Sequence, residues 1–321
     1  MRYVLCTVLA AALAVSTPAH SQPFPSKPVR IVLGYTSGGT ADIVARLVAE
    51  KLAGALGQPV VVENRPGASG NIAAQFVAKA AADGHTLLLG ATAEMAINRH
   101  VMKEMGFNPE TDFAPIALGF HVPLALLVPA KSPHASLKDL LEAARRAPGK
   151  LAFANSGIGT PGHLAGEMLT LKEKVSMTQV PYKGGAPAMT DLIGGRVEAY
   201  FLSVPGAMPH VRSGSVRALA VSTARRSSSA PEVPTIAELG IAGFDFSLWG
   251  GYFAPAGTPA EVISRLNREI VQALSQQEMR ERLAREGSEL IQTTPEEFGR
   301  MVQAESRKYA DILRQINYKP E

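Results

Sequence analysis

Apolar runs and amphipathic segments alternate along this chain in the order expected of an α/β protein. Continuous apolar runs at 29–35 and 85–92 predict buried strands. Segments 40–57 and 70–84 carry their apolar residues at helical spacing, and Gly57 marks the end of the first of them. The apolar side chains on one face of that first helix are Ile43, Leu47, Leu52 and Leu56. This alternation predicts a sheet with parallel strands and with helices on both of its faces.

The alternation breaks between residues 113 and 133, where Pro123 separates two apolar runs. Strands and helices then alternate again as far as a polar loop at 227–234. Beyond that loop, amphipathic helices are predicted to begin near Pro259, Gln277 and Pro295.

Two connections, at 115–128 and at 227–249, predict a chain that crosses twice between two α/β domains. The first domain is expected to hold residues 22–122 and 232–321, and the second domain residues 123–231. The C-terminal helices would then return to the first domain.

Residues 1–21 have the composition of a secretory signal peptide. A basic start at Arg2 precedes an apolar core at 3–15, which is too short to cross a bilayer. Small residues predict cleavage between Ser21 and Gln22. The mature chain is therefore expected to be exported from the cytoplasm. It would have no disulfide and no cysteine ligand, since Cys6 is the only cysteine in the chain.

Charge and aromatic content narrow the classes of partner. The formal net charge is +4 at pH 7, and the basic residues are scattered among acidic ones. Aromatic residues make up 6% of the chain and form no stripe with basic residues, which argues against nucleic-acid binding. A mild positive charge outside the cytoplasm suits an anionic ligand. No other apolar run is long enough for the mature chain to insert into a membrane.

Two glycine-rich loops, at 34–42 and at 155–163, each follow a predicted strand and open a predicted helix. Neither loop contains lysine or arginine, so the first does not match a phosphate-binding P-loop. The second loop spells GxGxxG at 157–162, but it lies mid-chain and has Pro161 inside the turn, which argues against a dinucleotide cofactor. No cofactor is expected.

The sequence also lacks the residue patterns that would indicate an enzyme. Neither Ser37 nor Ser156 stands in the GxSxG pattern of a serine hydrolase, and the histidines lack the spacing of metal ligands. Glycine-rich turns before helices do expose backbone N–H groups where the helix dipole favours an anion. The two loops are therefore predicted to hold a carboxylate across a cleft, although glycines that only form turns and caps would give the same pattern.

The order of several motifs resembles the Bug family, the periplasmic solute-binding receptors of tripartite tricarboxylate transporters. The motifs are GGTADIVAR, VVENRPGASGNIAA, DFAPIA, SGIGTPGHLAGE, VPYKGGAPAMTDLIGG, RALAVST, PEVPTIAELG and WGGYFAPAGTP. The resemblance covers nearly all of the mature chain. It implies the two-domain "Venus flytrap" fold of class II periplasmic binding proteins, with mixed or parallel sheets and helices on both faces.

The resemblance also implies a ligand carboxylate held between the two loops by N–H groups, hydroxyls and water. A turn at 182–185 would lie beside the loops, and residues 92–96, which follow the predicted strand at 85–92, would meet the far end of the ligand. The implied ligand-binding residues are Tyr35, Thr36, Ser37, Gly38, Gly39, Thr40, Asp42, Thr92, Glu94, Asn155, Ser156, Gly157, Gly159, Thr160, His163, Tyr182, Lys183, Gly184 and Ser203. Asp42 is expected mainly to support the first helix, and Trp249 to pack in the core.

Two departures from the family pattern bear on the ligand. Leu202 stands where many relatives carry aspartate, which makes an amino-acid ligand less expected. Glu94 stands where relatives carry a smaller or polar residue. If Glu94 faces the cleft, it would repel a second ligand carboxylate unless it is protonated or paired. A cleft-facing Glu94 therefore indicates a monocarboxylate, or a ligand with a distal hydroxyl or amine. The alternative is that Glu94 faces solvent at a helix start, and it would then say nothing about the ligand.

The sequence therefore predicts a monomeric receptor, and not an enzyme, with no catalytic residue and no metal. It is expected to capture a small organic carboxylate between its domains and deliver it to the membrane subunits of a tripartite tricarboxylate-type transporter. One alternative is a ligand sensor for a membrane signalling partner. Another is an exported hydrolase or lyase that uses Ser37 or His163.

Overall fold

The computed structural model describes residues 24–285 and 287–320, so the predicted signal peptide and its cleavage site lie outside the described residues. The strands are β1 (Val29–Leu33), β2 (Val60–Asn64), β3 (Thr86–Ala91), β4 (Phe113–Pro129), β5 (Ala152–Asn155), β6 (Thr178–Pro181), β7 (Ala199–Ser203), β8 (Val216–Val221) and β9 (Ser247–Pro255). The α-helices are α1 (Thr40–Leu56), α2 (Asn71–Ala78), α3 (Asn98–Val101), α4 (Leu137–Arg146), α5 (Pro161–Glu173), α6 (Gly185–Ile193), α7 (Val204–Arg212), α8 (Ala260–Ser275), α9 (Gln277–Arg285) and α10 (Pro295–Gln315). Within these residues, no helix combines the length and the apolar character needed to span a membrane.

The strands form one mixed sheet in the order β2-β1-β3-β9-β4-β7-β5-β6, and β8 pairs with β4 beside that path. Strands β1, β2 and β3 are parallel to one another, and so are β5, β6 and β7. The long strands β4 and β9 run antiparallel to each other. The predicted α/β class, with parallel strands inside a mixed sheet, is confirmed.

Strand β4 belongs to both ends of the sheet. It pairs with β9 as far as Pro123, which lies opposite Ser247, and from Leu124 onward it pairs with β7 and β8. The two apolar runs on either side of Pro123 therefore belong to one continuous strand. Proline removes a backbone donor, and here the missing N–H falls where the strand changes partners, so the strand continues through it.

Other predicted elements differ from the structure in their bounds. The three C-terminal helices begin within one residue of their predicted starts. The second predicted helix is shorter, since α2 ends at Ala78 and not near Gly84. Helix α7 was not predicted, because Pro205 and Pro209 disguise it, although the first of them stands in the first turn where helices accept proline.

Buried side chains on both faces of the sheet form the core. On one face, α1 and α8 meet around Val48, Leu52, Leu266 and Ile270. On the other, α10 packs against β4, and its Phe298 ring lies 4.9 Å from that of Phe253, centroid to centroid. Helix α10 also contacts α5, so the last helix joins the two ends of the sheet.

Close packing around β9 makes Gly251 a sensitive position. A Cβ atom there would overlap the ring of Phe298 and lie 2.8 Å from the carbonyl oxygen of Ala117. We predict that Gly251→Ala lowers the free energy of unfolding by about 1–3 kcal/mol, the usual cost of overpacking a core. Urea unfolding followed by circular dichroism measures this change.

The matched control is Gly54→Ala, on the exposed surface of α1, where a Cβ atom would meet nothing within 4 Å. Alanine is favoured over glycine inside a helix, so this variant should gain about 0.5–1 kcal/mol. Equal stabilities of the two variants would contradict the packing described for β9.

Candidate ligand-binding cleft

A cavity of about 270 Å³ lies where the first glycine-rich loop, the end of β3 and the start of α5 meet. Its lining residues are Tyr35, Gly39, Thr40, Ala41, Ala91, Thr92, Ala93, Phe120, Pro161, Leu248 and Trp249. The cavity therefore touches both loops that the sequence selected, the first through residues 39–41 and the second through Pro161.

The N-terminus of α1 opens onto this cavity without a side-chain cap. Gly39 is the N-cap residue, with φ −82° and ψ 169°, and has no side chain to accept a hydrogen bond. The N–H groups of Thr40, Ala41 and Asp42 have no acceptor among the described residues, whereas Ile43 N–H donates to the carbonyl of Gly39. Unpaired N–H groups at the positive end of a helix dipole make an anion site.

Asp42 holds the loop that leads into α1. Its carboxylate accepts hydrogen bonds from Gly38 N–H at 3.0 Å, from Asn64 Nδ2 at 2.9 Å and from two nitrogens of Arg46. The pKa of Asp42 is lowered to about 2, and the largest cause is hydrogen bonding from Arg46. Burial acts in the opposite direction and raises this pKa. Asn64 also donates to the carbonyl oxygen of Tyr35 at 3.0 Å, so one network fixes both ends of the loop.

Tyr35 lines the cavity, and Glu94 lies behind it. The Tyr35 hydroxyl donates to Glu94 Oε2 at 2.6 Å, and Ala91 N–H donates to Glu94 Oε1 at 2.8 Å. Glu94 is 0% exposed, and a Cβ atom at Gly70 would lie 2.5 Å from its carboxyl carbon. Burial raises the pKa of Glu94 to about 7, and burial together with Glu94 raises the pKa of Tyr35 well above its usual value.

The placement of Glu94 differs from both expectations drawn from the sequence. Its side chain neither faces solvent at a helix start nor lines the cavity. Glu94 is the second residue of a π-helical turn at Ala93–Ile97, and this turn directs the carboxyl group inward beneath Gly70. Its influence on a ligand would therefore act through Tyr35.

The second loop satisfies most of its own polar groups. Thr160 Oγ1 donates to the carbonyl of Gly157 at 2.8 Å and caps α5 by accepting from His163 N–H at 3.3 Å. His163 Nδ1 accepts from Gly159 N–H at 3.3 Å, and Asn155 Oδ1 accepts from Gly157 N–H at 3.1 Å. Pro161 has no N–H, so the start of α5 is a weaker anion site than the start of α1. The two loops are alike in sequence but differ in the donors that they leave free.

The remaining predicted residues do not line this cavity. Ser156 Oγ lies 2.5 Å from the Tyr200 hydroxyl, and its carbonyl accepts from Gly184 N–H at 3.2 Å. The Tyr182 hydroxyl donates to Asp191 at 2.8 Å. The other members of this group are Thr36, Ser37, Gly38 and Lys183, which are exposed, and Ser203, which ends β7. Of the predicted residues, Tyr35, Gly39, Thr40 and Thr92 line the cavity.

Sequence reasoning missed much of the apolar wall. Phe120 on β4 and Leu248 on β9 reach the cavity because the two strands pair antiparallel, with Val122 opposite Leu248. Trp249 lines the cavity and also packs edge-on against Phe298, with ring centroids 6.0 Å apart. Thr92 Oγ1 accepts from Trp249 N–H at 2.9 Å and donates to its carbonyl at 3.1 Å. The single tryptophan was the one available sequence signal.

Among the residues that the structure describes, no three His, Cys, Asp or Glu side chains are grouped so that they could hold a metal ion. The arrangement offers backbone donors at one end of an apolar cavity, which is suited to binding a carboxylate.

Comparison with known proteins agrees with this geometry. Residues 44–318 match the family model described as tripartite tricarboxylate transporter family receptor. BugT of Bordetella pertussis is 36% identical over 313 residues, which cover 97% of this chain and 96% of that protein. An R. palustris protein solved with adipate is 38% identical, with a TM-score of 0.79, and the match covers 93% of this chain and 100% of that one. The periplasmic binding protein BugD is 34% identical, with a TM-score of 0.74 and the same coverage.

The network around Asp42 predicts a pH-dependent contribution to stability. We expect Asp42→Ala to lower the free energy of unfolding at pH 7 by about 1–3 kcal/mol, because buried donors lose their acceptor. The folded pKa of about 2 lies below the ordinary value of 3.8. The stabilisation is therefore present above pH 4 and is lost as pH falls toward 2. Urea unfolding of both proteins between pH 7 and pH 2 measures the difference.

The control is Arg46→Ala, which removes the half-exposed partner but leaves Gly38 N–H and Asn64 bound to Asp42. It should cost less than Asp42→Ala. A difference between wild type and Asp42→Ala that stays constant down to pH 2 would show that the charge of Asp42 is not what stabilises the loop.

Proposed function

We propose that this chain, which belongs to the tripartite tricarboxylate transporter receptor family, binds a small organic carboxylate in its cleft and delivers it to the membrane subunits of such a transporter. Membership of the family confirms the resemblance read from the sequence motifs, and the family is one of solute-binding receptors and not of enzymes. The observation that carries the proposal is the uncapped N-terminus of α1, which opens onto a cavity that Pro161 of α5 also lines.

The carboxylate would be held by main-chain donors. No lysine or arginine lines the cavity, so the N–H groups of Thr40, Ala41 and Asp42 and the dipole of the 17-residue helix α1 would balance its charge. Asp42 keeps these groups in place but turns its own carboxylate away toward Arg46 and Asn64. The site then binds an anion without a cationic side chain.

Closure of two domains would complete the site, with the domain bounds expected from the sequence. Support comes from β4, which changes partners between Pro123 and Leu124, and from the connection between β8 and β9. Near the cleft the two ends of the sheet already approach each other, since a Cβ atom at Gly159 would lie 3.5 Å from Val101 of α3. A ligand that contacts both loops would favour the closed form.

A periplasmic location and a monomeric state are part of the proposal. BugD, which is 34% identical to this chain, is named a periplasmic binding protein. The predicted signal peptide at 1–21 supports export of this chain. Delivery to transporter membrane subunits rests on the family description alone.

Substitution of Gly39 tests the anion site directly. A Cβ atom at Gly39 would meet nothing within 4 Å, and its backbone conformation already suits an N-cap residue. We predict that Gly39→Asp caps α1 with its own carboxylate and so excludes the ligand. It should be more stable than Gly39→Ala by about 0.5–2 kcal/mol.

Thermal unfolding of ligand-free protein against a panel of hexanoate, benzoate, adipate, malate and citrate provides the measurement. A ligand at a hundredfold excess over its Kd stabilises the folded state by about 2.7 kcal/mol. Gly39→Ala should keep this response and Gly39→Asp should lose it. An equal response from both variants would place the carboxylate elsewhere, and a panel without any response would overturn the proposed function.

A further inference from the structure

The walls of the cavity are apolar beyond the N-terminus of α1. Most of the lining side chains carry no polar group; these are Ala41, Ala91, Ala93, Phe120, Pro161 and Leu248. The indole ring of Trp249 adds a further aromatic surface. A ligand that enters the cavity therefore exchanges water for aliphatic and aromatic contacts over most of its length, which favours an apolar body.

Thr40 contributes a hydroxyl at the start of α1, and beyond that point the hydroxyl groups in these walls are already engaged. The Tyr35 hydroxyl donates to Glu94, and the Thr92 hydroxyl is bound to the main chain of Trp249 in both directions. One buried polar atom of the walls, Nε1 of Trp249, has no hydrogen-bond partner among the described residues. As a single neutral donor it suits at most one uncharged acceptor, such as a carbonyl or ether oxygen.

The carboxyl group of Glu94, behind the Tyr35 wall of the cavity, also disfavours a second carboxylate on the ligand. Glu94 lies directly behind Tyr35, and its hydrogen-bond donors are the Tyr35 hydroxyl and a backbone N–H. No arginine, lysine or histidine is among the residues that contact its carboxyl group or that line the cavity. A second ligand carboxylate would meet no cation there, and a buried anion without a partner is strongly disfavoured.

From these three features we infer that the ligand is a small monocarboxylate with an apolar aliphatic or aromatic body, and not a dicarboxylate or tricarboxylate. The inference rests on the proposed function and narrows it. One carboxylate binds the N–H groups of α1, and the hydrocarbon part lies against Phe120, Leu248 and Trp249. The cavity of about 270 Å³ has room for a short chain or a single ring beside the carboxylate.

Matched ligand pairs test the inference by isothermal titration calorimetry on protein stripped of ligand by unfolding and refolding. The pairs are hexanoate with adipate and benzoate with terephthalate, which differ by one carboxylate. We expect each monocarboxylate to bind about tenfold or more tightly than its partner, since an unpaired buried charge is costly. Tighter binding of adipate or terephthalate overturns the inference and leaves the proposed receptor function intact, whereas no binding in either pair overturns both.

Two variants separate the apolar wall from the charge behind it. Leu248→Gln places a polar group on a partly exposed wall residue and should weaken the binding of hexanoate about fivefold or more. The matched control is Leu239→Gln, because Leu239 is exposed and lies outside the cavity.

Glu94→Gln should raise the affinity for adipate relative to hexanoate about threefold or more. Each variant is first shown to unfold cooperatively. Unchanged hexanoate affinity in Leu248→Gln, or an unchanged ratio in Glu94→Gln, contradicts the inference.

Discussion

The proposed binding site depends on three backbone N–H groups at the start of α1 that have no acceptor among the described residues. A helix start is normally capped by its own side chains, as Thr160 caps α5, but Gly39 gives α1 no such cap. Asp42 could have neutralised this end of the helix, yet its carboxylate is committed to Gly38, Arg46 and Asn64. The same interactions fix the loop, so the donors are held in position and remain open to an anion.

The sheet places an apolar surface beside these donors. Strand β4 pairs with β9 before Pro123 and with β7 and β8 after it, so a single strand links the two ends of the sheet. Phe120 and Leu248 come from that pairing, close to the point where the strand changes partners. A movement of the two ends relative to each other would therefore alter the wall and the loops together, which is how a receptor of this family could couple ligand binding to closure.

Glu94 shows how a buried acid shapes a site that it does not line. Its hydrogen bond from Tyr35 fixes one wall and uses the only phenolic hydroxyl of the lining. The close approach of Gly70 keeps solvent from the carboxyl group, and burial raises its pKa to about 7. The wall in front of it thus offers a ligand a ring and no free donor, and the charge behind the wall is negative whenever Glu94 is ionised.

The α/β class, the two glycine-rich loops and most of the alternation of strands and helices followed from the sequence, because periodicity and glycine before a helix are local signals. For the same reason, the bounds of α1 and the starts of the three C-terminal helices were predicted to within one residue. Tertiary structure decided the rest. Pro123 could be read as a break until the change of strand partners was known, and the loops looked equivalent until Thr160 was seen to cap one of them. Phe120 and Leu248 entered the cavity through pairing of strands more than a hundred residues apart in the chain, and Glu94 turned inward because Gly70 and Tyr35 enclose it. Such long-range contacts have no periodic signature along the chain, so only the folded structure reveals them.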